Sequence, residues 1–306
     1  MSRALAASAP RIRATCEDRF VAWPWWHQGT GPDAYRIREL LRAIWDLHAM
    51  YGAEDPWLWR GQANAEHSLE PAIHTRVRAH MPLDDAQVEN FTDGLLLAAR
   101  KAGLNDHEGT NLPDMALLAL LQHHGAATPL LDISLDPLVG LYMATVSPNP
   151  EDDARDGALF AIRRPHRQVS DFDSRAFRQV YNWIGDEVVL YSAPDVSERL
   201  RIQRGHFLLG RVSTTDRRVT IPLTLDSGNV GDNWMRRRMD ARGVQGPPPP
   251  AMSDVAVFRI AAKFKVNIRL WLEARSGLTR DFVYPTPWHQ PHLDRFATSH
   301  GRGASF

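Results

Sequence analysis

Hydrophobic and polar positions follow helical and strand periods along the chain, and residues 117–144 show both periods in one short span. An apolar run ends at Gly125, where a left-handed glycine can close a helix. A second apolar run begins after Asp136-Pro137, an N-cap residue followed by the proline that suits a first helical turn. Residues 130–134, between the two runs, have an extended pattern. The span is therefore predicted to fold as helix, turn, strand and helix.

Several polar side chains interrupt this otherwise apolar span: His123, His124, Thr128, Asp132 and Ser134. An unpaired buried polar group costs a few kcal/mol, so these side chains need partners. Asp132 follows two leucines and is predicted to be buried, with Arg60 as its best candidate partner. We expect the polar side chains to converge on one site.

The rest of the chain predicts helices and short strands around this span. Amphipathic helices, with apolar residues three and four apart, are predicted at 35–50, 87–102 and 262–274. Strands are predicted from alternation or from short apolar runs at 57–62, 157–162, 187–191, 207–212 and 255–260. The predicted fold class is α+β, a mixed sheet core with flanking helices.

Composition divides the chain into four parts. Residues 1–34 form a leader with a tryptophan-rich segment, which either covers a cleft or packs on the surface, and residues 35–213 form the core of the domain. Residues 214–253 are polar and end near four consecutive prolines. We predict that they form an exposed insertion with a helix near Trp234 and contribute little to the core. Residues 254–306 are predicted to complete the domain with a strand and a helix.

Charge and composition exclude several classes of protein. The formal net charge is zero, from 36 basic and 36 acidic residues, which argues against a nucleic-acid partner. The single cysteine, Cys16, excludes an internal disulfide and every multi-cysteine zinc pattern. No apolar run approaches the roughly 20 residues of a membrane span, and the first residues lack the apolar block of a secretory signal. We therefore predict a cytoplasmic protein without a membrane partner.

The sequence contains no standard catalytic or metal-binding signature. Phosphate-loop, dinucleotide-turn, nucleophile-elbow and His-Glu-x-x-His patterns are all missing. His123 and His124 are adjacent, about 100° apart on a helix, so both cannot face one ion from the same side. We predict no metal site. Each histidine either forms local hydrogen bonds at the helix C-terminus or lines a cleft.

Six short motifs occur in a specific order along the chain. They are Trp59-Arg60-Gly61-Gln62, Leu69-x-Pro71 leading to Arg76, Gln122-His123-His124-Gly125, Thr128-x-Leu130-Leu131-Asp132, Gln203-Arg204-Gly205-His206-Phe207, and a segment from Lys263 to Tyr284-Pro285. Together they resemble the FRG domain, a widespread bacterial domain named for an aromatic-Arg-Gly motif, over residues 37–290. The chain departs from the family at Pro129, where an arginine is usual, and at Ile133-Ser134, where Trp-Thr is usual.

The resemblance implies a single FRG-type domain of undetermined biochemistry, and three classes of function remain open. The first is an NAD-using enzyme, an NADase or an ADP-ribosyltransferase-like glycosyltransferase, with NAD as its substrate. The second is a sensor that binds a nucleotide-type ligand without turning it over. The third is a protein-interaction module of a bacterial defence or toxin system, with the tryptophans and the proline-rich insertion as its contact surface.

The predicted binding site is a cleft lined by five residues: Arg60, Gln62, His124, Asp132 and Ser134. An arginine followed by glycine allows close approach of a phosphate, while hydroxyl and carboxylate groups suit ribose hydroxyls. The candidate catalytic residues are Glu187 and Gln203. Cleavage of NAD passes through an oxocarbenium-like state that a carboxylate stabilises, and only Glu187 carries that charge. A position of Glu187 away from the cleft would favour a binding protein over an enzyme.

Overall fold

The computed structural model describes residues 57–225, apart from short gaps at 108, 148–149, 172, 195–197 and 217, together with 254–284 and 291–303. It also describes four positions of an earlier helix, Leu40, Leu41, Ile44 and Trp45. The helix predicted over 35–50 is confirmed at these four positions, with Leu40 and Ile44 buried. The tryptophan-rich leader and the helix predicted near Trp234 lie outside the described residues.

A seven-stranded mixed sheet forms the centre of the molecule, which confirms the predicted α+β class. The strands are β1 (Trp57–Gln62), β2 (Asp106–His107), β3 (Thr110–Asn111), β4 (Leu131–Ser134), β5 (Gly157–Arg163), β6 (Gln168–Val169), β7 (Val189–Tyr191), β8 (Gly205–Leu209) and β9 (Val255–Ile260). Their order in the sheet is β6-β7-β8-β4-β1-β5-β9, while β2 and β3 pair separately. All neighbours in the large sheet are antiparallel except β6 and β7.

Helices cover this sheet. Those in the described part of the chain are α1 (Ala72–Arg78), α2 (Asp85–Lys101), α3 (Asp114–His123), α4 (Pro137–Met143), α5 (Phe177–Ile184), α6 (Glu198–Ile202), α7 (Ala262–Ser276), α8 (Arg280–Val283) and α9 (Pro291–Ser299). A 3₁₀ turn covers Pro150–Ala154. The predicted helices at 87–102 and 262–274 are confirmed as α2 and α7, and α7 ends at the left-handed Gly277. The predicted strand at 187–191 is shorter in the structure, and β8 begins and ends before the bounds predicted for it.

The central span folds as its pattern predicts. Helix α3 is buried along seven consecutive residues, 115–121, and Gly125 follows it with φ 97°. Strand β4 comes next, and the Asp136 side chain then caps α4 by accepting a hydrogen bond of 2.8 Å from the Leu138 amide. This span therefore places β4 in the sheet between β1 and β8.

The start of the predicted insertion belongs to the core. Val219 and Ile221 are 1% and 0% exposed and pack with Leu58 and Phe160 of the sheet. Val219 also forms a β-bridge with Leu69. The prediction that 214–253 contributes little to the core is therefore wrong for these residues, because the polar positions around them hid two short apolar contacts. Residues 226–253 lie outside the described part.

Candidate functional site

Trp59 and Gly61 of the aromatic-Arg-Gly motif pack β1 against α4. Trp59 is fully buried, and it shares a hydrophobic cluster with residues of α4 and α7. A Cβ placed on Gly61 would lie 1.9 Å from the Gly140 carbonyl oxygen and 2.5 Å from the Ala144 amide nitrogen. On the other side of the contact, a Cβ on Gly140 would lie 3.1 Å from the Trp59 Cβ. The glycine of the motif is therefore required because the helix backbone occupies the space of its side chain.

Arg60, between these two residues, extends to the neighbouring strand β4. Strand β1 pairs with β4 at one position, where Trp59 lies opposite Ser134. Beside this pair, the Arg60 Nη1 donates a hydrogen bond of 2.7 Å to the Asp132 carbonyl. Among the described residues this is the only hydrogen bond of Arg60, and its Nε is buried without a partner. The Arg60 side chain is 16% exposed. Most of its donors therefore remain uncommitted in a largely buried position.

Asp132 lies beside Arg60 but is not buried as predicted. Its side chain is 53% exposed, with Oδ2 3.7 Å from the Arg60 Nη1. The prediction of burial was wrong because neighbouring residues of a strand point to opposite faces, and the flanking Leu131 and Ile133 take the core-facing positions. Asp132 therefore presents a carboxylate to solvent next to a mostly buried cation.

Gln122 and Thr128 extend this polar cluster. The Gln122 side chain donates 2.8 Å from Nε2 to the Asp132 Oδ2 and accepts 2.6 Å at Oε1 from the Thr128 hydroxyl. The Thr128 oxygen in turn accepts a 3.2 Å hydrogen bond from the Leu130 amide. We name Arg60, Asp132, Gln122 and Thr128 the arginine cluster.

Helix α9 and its C-terminal extension approach the same turn. The His124 Nδ1 lies 2.7 Å from the Asp294 Oδ1, and the His124 side chain is buried. The Ala127 amide donates 2.9 Å to the His300 carbonyl. Burial lowers the pKa of Arg60, the charge of Asp132 opposes this shift, and the charge of Arg302 adds to it. A second guanidinium thus acts electrostatically on Arg60.

Three of the predicted ligand-binding residues have structural partners. The Gln62 Nε2 donates 3.1 Å to the Ser68 carbonyl, although its Oε1 is buried without a hydrogen bond from the described residues. His124 is held by α9. The Ser134 hydroxyl donates 2.6 Å to the Gln203 carbonyl and accepts 2.9 Å from the Asp136 amide. Of the five residues, Arg60 and Asp132 are the two that contact each other and still have polar atoms that are exposed or unused by the described residues.

The two candidate catalytic residues do not join this cluster. The Gln203 side chain is buried and donates 2.7 Å to the Val283 carbonyl, which ties the turn between α6 and β8 to α8. Glu187 is exposed and pairs with Arg167 at 3.1 Å. Strand β8 separates β4 from β7, and its Phe207 pairs with Asp132 on one side and with Tyr191 on the other. Tyr191 is the last residue of β7, whereas Glu187 lies before the first residue of that strand. Neither side chain forms a hydrogen bond or an ion pair with Arg60 or Asp132 among the described residues.

The structure adds residues that the sequence reasoning did not assign to the site. Gln122 was part of a recognised motif, but nothing in the spacing of Gln122 and Asp132 indicated that they hydrogen-bond. Arg302 lies far along the chain and has no sequence signal. Within the described ranges, no group of three or more His, Cys, Asp or Glu side chains could hold a metal ion. No helix of these ranges is long and apolar enough to cross a membrane.

Comparison with known proteins identifies one region of the chain. Residues 55–153 match the family model of the FRG domain, a span that contains β1 to β4, α1 to α4 and all but the last residue of the 3₁₀ turn. The motifs from Gln203 onward lie outside the matched residues. No curated protein and no solved structure matches the chain. The packing of Trp59 and Gly61 and the arginine cluster all fall inside the match, and the chain is therefore an FRG domain-containing protein.

Proposed function

We propose that the FRG domain of this chain is a binding module for an anionic, nucleotide-type ligand, with Arg60 and Asp132 at the polar end of its site. The observation that carries the proposal is the state of the Arg60 guanidinium. It is mostly buried, yet among the described residues it forms one hydrogen bond, to the Asp132 carbonyl, and a longer contact of 3.7 Å with the Asp132 carboxylate. A phosphate could use its remaining donors in the paired geometry that arginine favours.

The charges around Arg60 support an anionic ligand. Arg302 acts on Arg60 as a second positive charge, and the neighbouring Asp132 is half exposed and so partly screened by water. An anion bound at Arg60 would be attracted by both positive charges. Displacement of water would strengthen these interactions, since charges attract more strongly in a less polar surrounding.

Asp132 and Gln122 suit the sugar part of such a ligand. The exposed carboxylate of Asp132 accepts hydrogen bonds, as a pair of ribose hydroxyls requires. The Gln122 side chain holds that carboxylate in place from one side. The orientation of Asp132 is therefore set before a ligand arrives, which lowers the entropy cost of binding.

The described residues give less support to an NAD-cleaving enzyme than to a binding module. Glu187 lies in a surface ion pair, and the side chains of Ser134 and Gln203 are used in hydrogen bonds within the fold. No further carboxylate contacts Arg60 among the described residues apart from Asp132. We therefore favour a sensor over an enzyme. The third class of function, a protein-interaction module, depends on segments outside the described part.

Titration with NAD, ADP-ribose and ATP tests the proposal. The unmutated protein should bind at least one of them, and Arg60→Ala should weaken that binding about tenfold or more, because charge-assisted hydrogen bonds are lost. Arg155→Ala is the matched control, since Arg155 forms an exposed ion pair with Glu66. Its affinity should equal that of the unmutated protein.

The same samples separate the sensor from the enzyme. Incubation with NAD should release no nicotinamide if the domain only binds its ligand. Release of nicotinamide that Arg60→Ala abolishes would instead assign NAD cleavage to this site. Unchanged binding of all three ligands by Arg60→Ala would remove Arg60 from the site and overturn the proposal.

A further inference from the structure

The residues that follow α9 lie against the turn at the end of α3. The His300 carbonyl accepts a hydrogen bond of 2.9 Å from the Ala127 amide. A Cβ placed on Gly301 would lie 3.5 Å from the Gly125 carbonyl oxygen. Two successive residues are thus in contact with this turn, and they fix the backbone from which the Arg302 side chain extends.

The same turn carries part of the arginine cluster. Gln122 lies near the end of α3, Thr128 directly follows Ala127, and their side chains form a hydrogen bond of 2.6 Å. Gln122 also donates to the Asp132 carboxylate, and the backbone carbonyl of Asp132 accepts from Arg60. A continuous set of contacts therefore leads from the end of α9 to Arg60.

Arg302 brings a second positive charge to this end of the domain. Burial lowers the pKa of Arg60, and the charge of Arg302 lowers it further, because two guanidinium groups near each other repel. Of the described carboxylates, that of Asp132 alone opposes this shift. Positive charge therefore exceeds negative charge beside Arg60, and this excess favours an anionic ligand.

The two arginines differ in how far they are buried. The Arg60 side chain is 16% exposed, whereas Arg302 is an exposed residue. A phosphate bound at Arg60 would be largely withdrawn from solvent, while a phosphate bound at Arg302 would lie at the surface. Arginine binds phosphate oxygens through paired donors, so each guanidinium suits a phosphate of its own.

We propose that the ligand of this site carries two linked phosphates, the inner one bound by Arg60 and the outer one by Arg302. This inference rests on the nucleotide-type ligand proposed above and narrows it to nucleoside diphosphates and their esters. A ribose at Asp132 places its own phosphate next to Arg60, which fixes the order of the two phosphates. Arg302 is thus a specificity-determining residue, and it lies outside the span that matches the FRG family model.

ADP and AMP differ by the outer phosphate, and their affinities test this assignment. Calorimetric titration without divalent metal, in about 0.15 M salt, screens charges that are more than about 8 Å apart. The unmutated protein should bind ADP about tenfold or more tightly than AMP. Arg302→Gln should remove this preference, because the donors for the outer phosphate are lost, and should change the affinity for AMP less than about twofold.

Arg295→Gln is the matched control for Arg302→Gln. Arg295 is an exposed arginine of α9, so its substitution removes the same charge from the same part of the chain. This variant should keep the preference of the unmutated protein for ADP. Both variants should melt at the temperature of the unmutated protein, since substitutions of exposed side chains have little effect on stability.

The outcomes distinguish this inference from the function on which it rests. Equal affinities for AMP and ADP, both lost in Arg60→Ala, would keep the nucleotide site and exclude a second bound phosphate. A preference for ADP that persists in Arg302→Gln would overturn the role of Arg302. Failure of the unmutated protein to bind AMP, ADP, NAD, ADP-ribose or ATP would overturn the proposed function itself, and this inference with it.

Discussion

Trp59 and Gly61 differ from Arg60, the residue between them, in how the fold uses them. The tryptophan is fully buried and the glycine is in contact with the backbone of α4, so neither position has free space. Arg60 keeps donors that no described residue uses. One motif thus combines two packing residues with one residue available for a ligand. Substitutions should separate these roles, with loss of stability at the first two positions and loss of binding at the third.

The largest effect should come from Gly61→Ala. The added methyl group would overlap the Gly140 carbonyl oxygen, which belongs to backbone and cannot move aside cheaply. We expect the free energy of unfolding to fall by more than about 4 kcal/mol, measured by urea denaturation. Gly94→Ala is the control and should raise stability by about 0.5 to 1 kcal/mol. A small loss of unfolding free energy in Gly61→Ala would mean that α4 can move away from β1. Gly61 would then not be a packing residue of the motif.

A second effect concerns His74, a buried histidine on α1 whose Nδ1 lies 2.6 Å from the Thr220 hydroxyl. Burial, together with the charge of Arg78, lowers the pKa of His74 to about 3. The unfolded chain takes up this proton near pH 6.5, so stability falls as the pH drops from 6.5 toward 3. Between pH 7 and pH 5 the loss from this residue should be about 2 kcal/mol.

Urea denaturation of the unmutated protein and of His74→Asn at both pH values measures this contribution. The variant should lose less stability than the unmutated protein over the same interval. Equal losses would show that His74 takes up its proton in the folded state and is not held in a dry surrounding. His74 would then not be a tightly packed core position of the kind found at Trp59 and Gly61.

Ser134→Ala should have a moderate effect on stability and none on binding. The hydroxyl joins the Gln203 carbonyl to the Asp136 amide at a buried position, so its removal should cost about 1 to 2 kcal/mol. The exposed Ser170→Ala should be neutral. Loss of nucleotide binding at unchanged stability would assign Ser134 to the ligand site and not to the packing of the fold.

The smallest change in stability should be that of Asp132→Ala. Exposed ion pairs contribute at most about 1 kcal/mol, and the carboxylate of Asp132 is half exposed. Asp153→Ala is a close control, because Asp153 is 47% exposed and lies 3.8 Å from Arg269. The two variants should melt at similar temperatures, while only Asp132→Ala should weaken nucleotide binding. A much lower melting temperature for Asp132→Ala would make its pair with Arg60 structural.

Periodicity predicted most of the described fold because it reports local burial. The helix before Gly125, the cap at Asp136 and the stop at Gly277 each depend on residues within one or two turns, and all three are present. Periodicity failed where burial depends on distant contacts. Val219 is buried because it pairs with Leu69, and no pattern within its own polar segment indicates that partner.

The site was less predictable than the fold for the same reason. The identity of Arg60 and Asp132 indicated a polar pair, but which of the two is buried depends on strand direction and on neighbouring strands. Gln203 was predicted to be catalytic and Ser134 to bind a ligand, on residue type alone, whereas the hydrogen bonds of both side chains lie within the fold. Gln122 shows the opposite case, since its role appears only when α3 and β4 are placed side by side.

Close contact at Gly61 also links positions that are far apart in the sequence. A Cβ on Gly157 would lie 2.2 Å from the Ala144 carbonyl oxygen, so glycines of β1, α4 and β5 share one crowded contact. A related domain with a side chain at any one of them must carry its helix farther from the sheet. The other two positions would then lose their need for glycine, and we expect the three residues to change together over evolution or not at all.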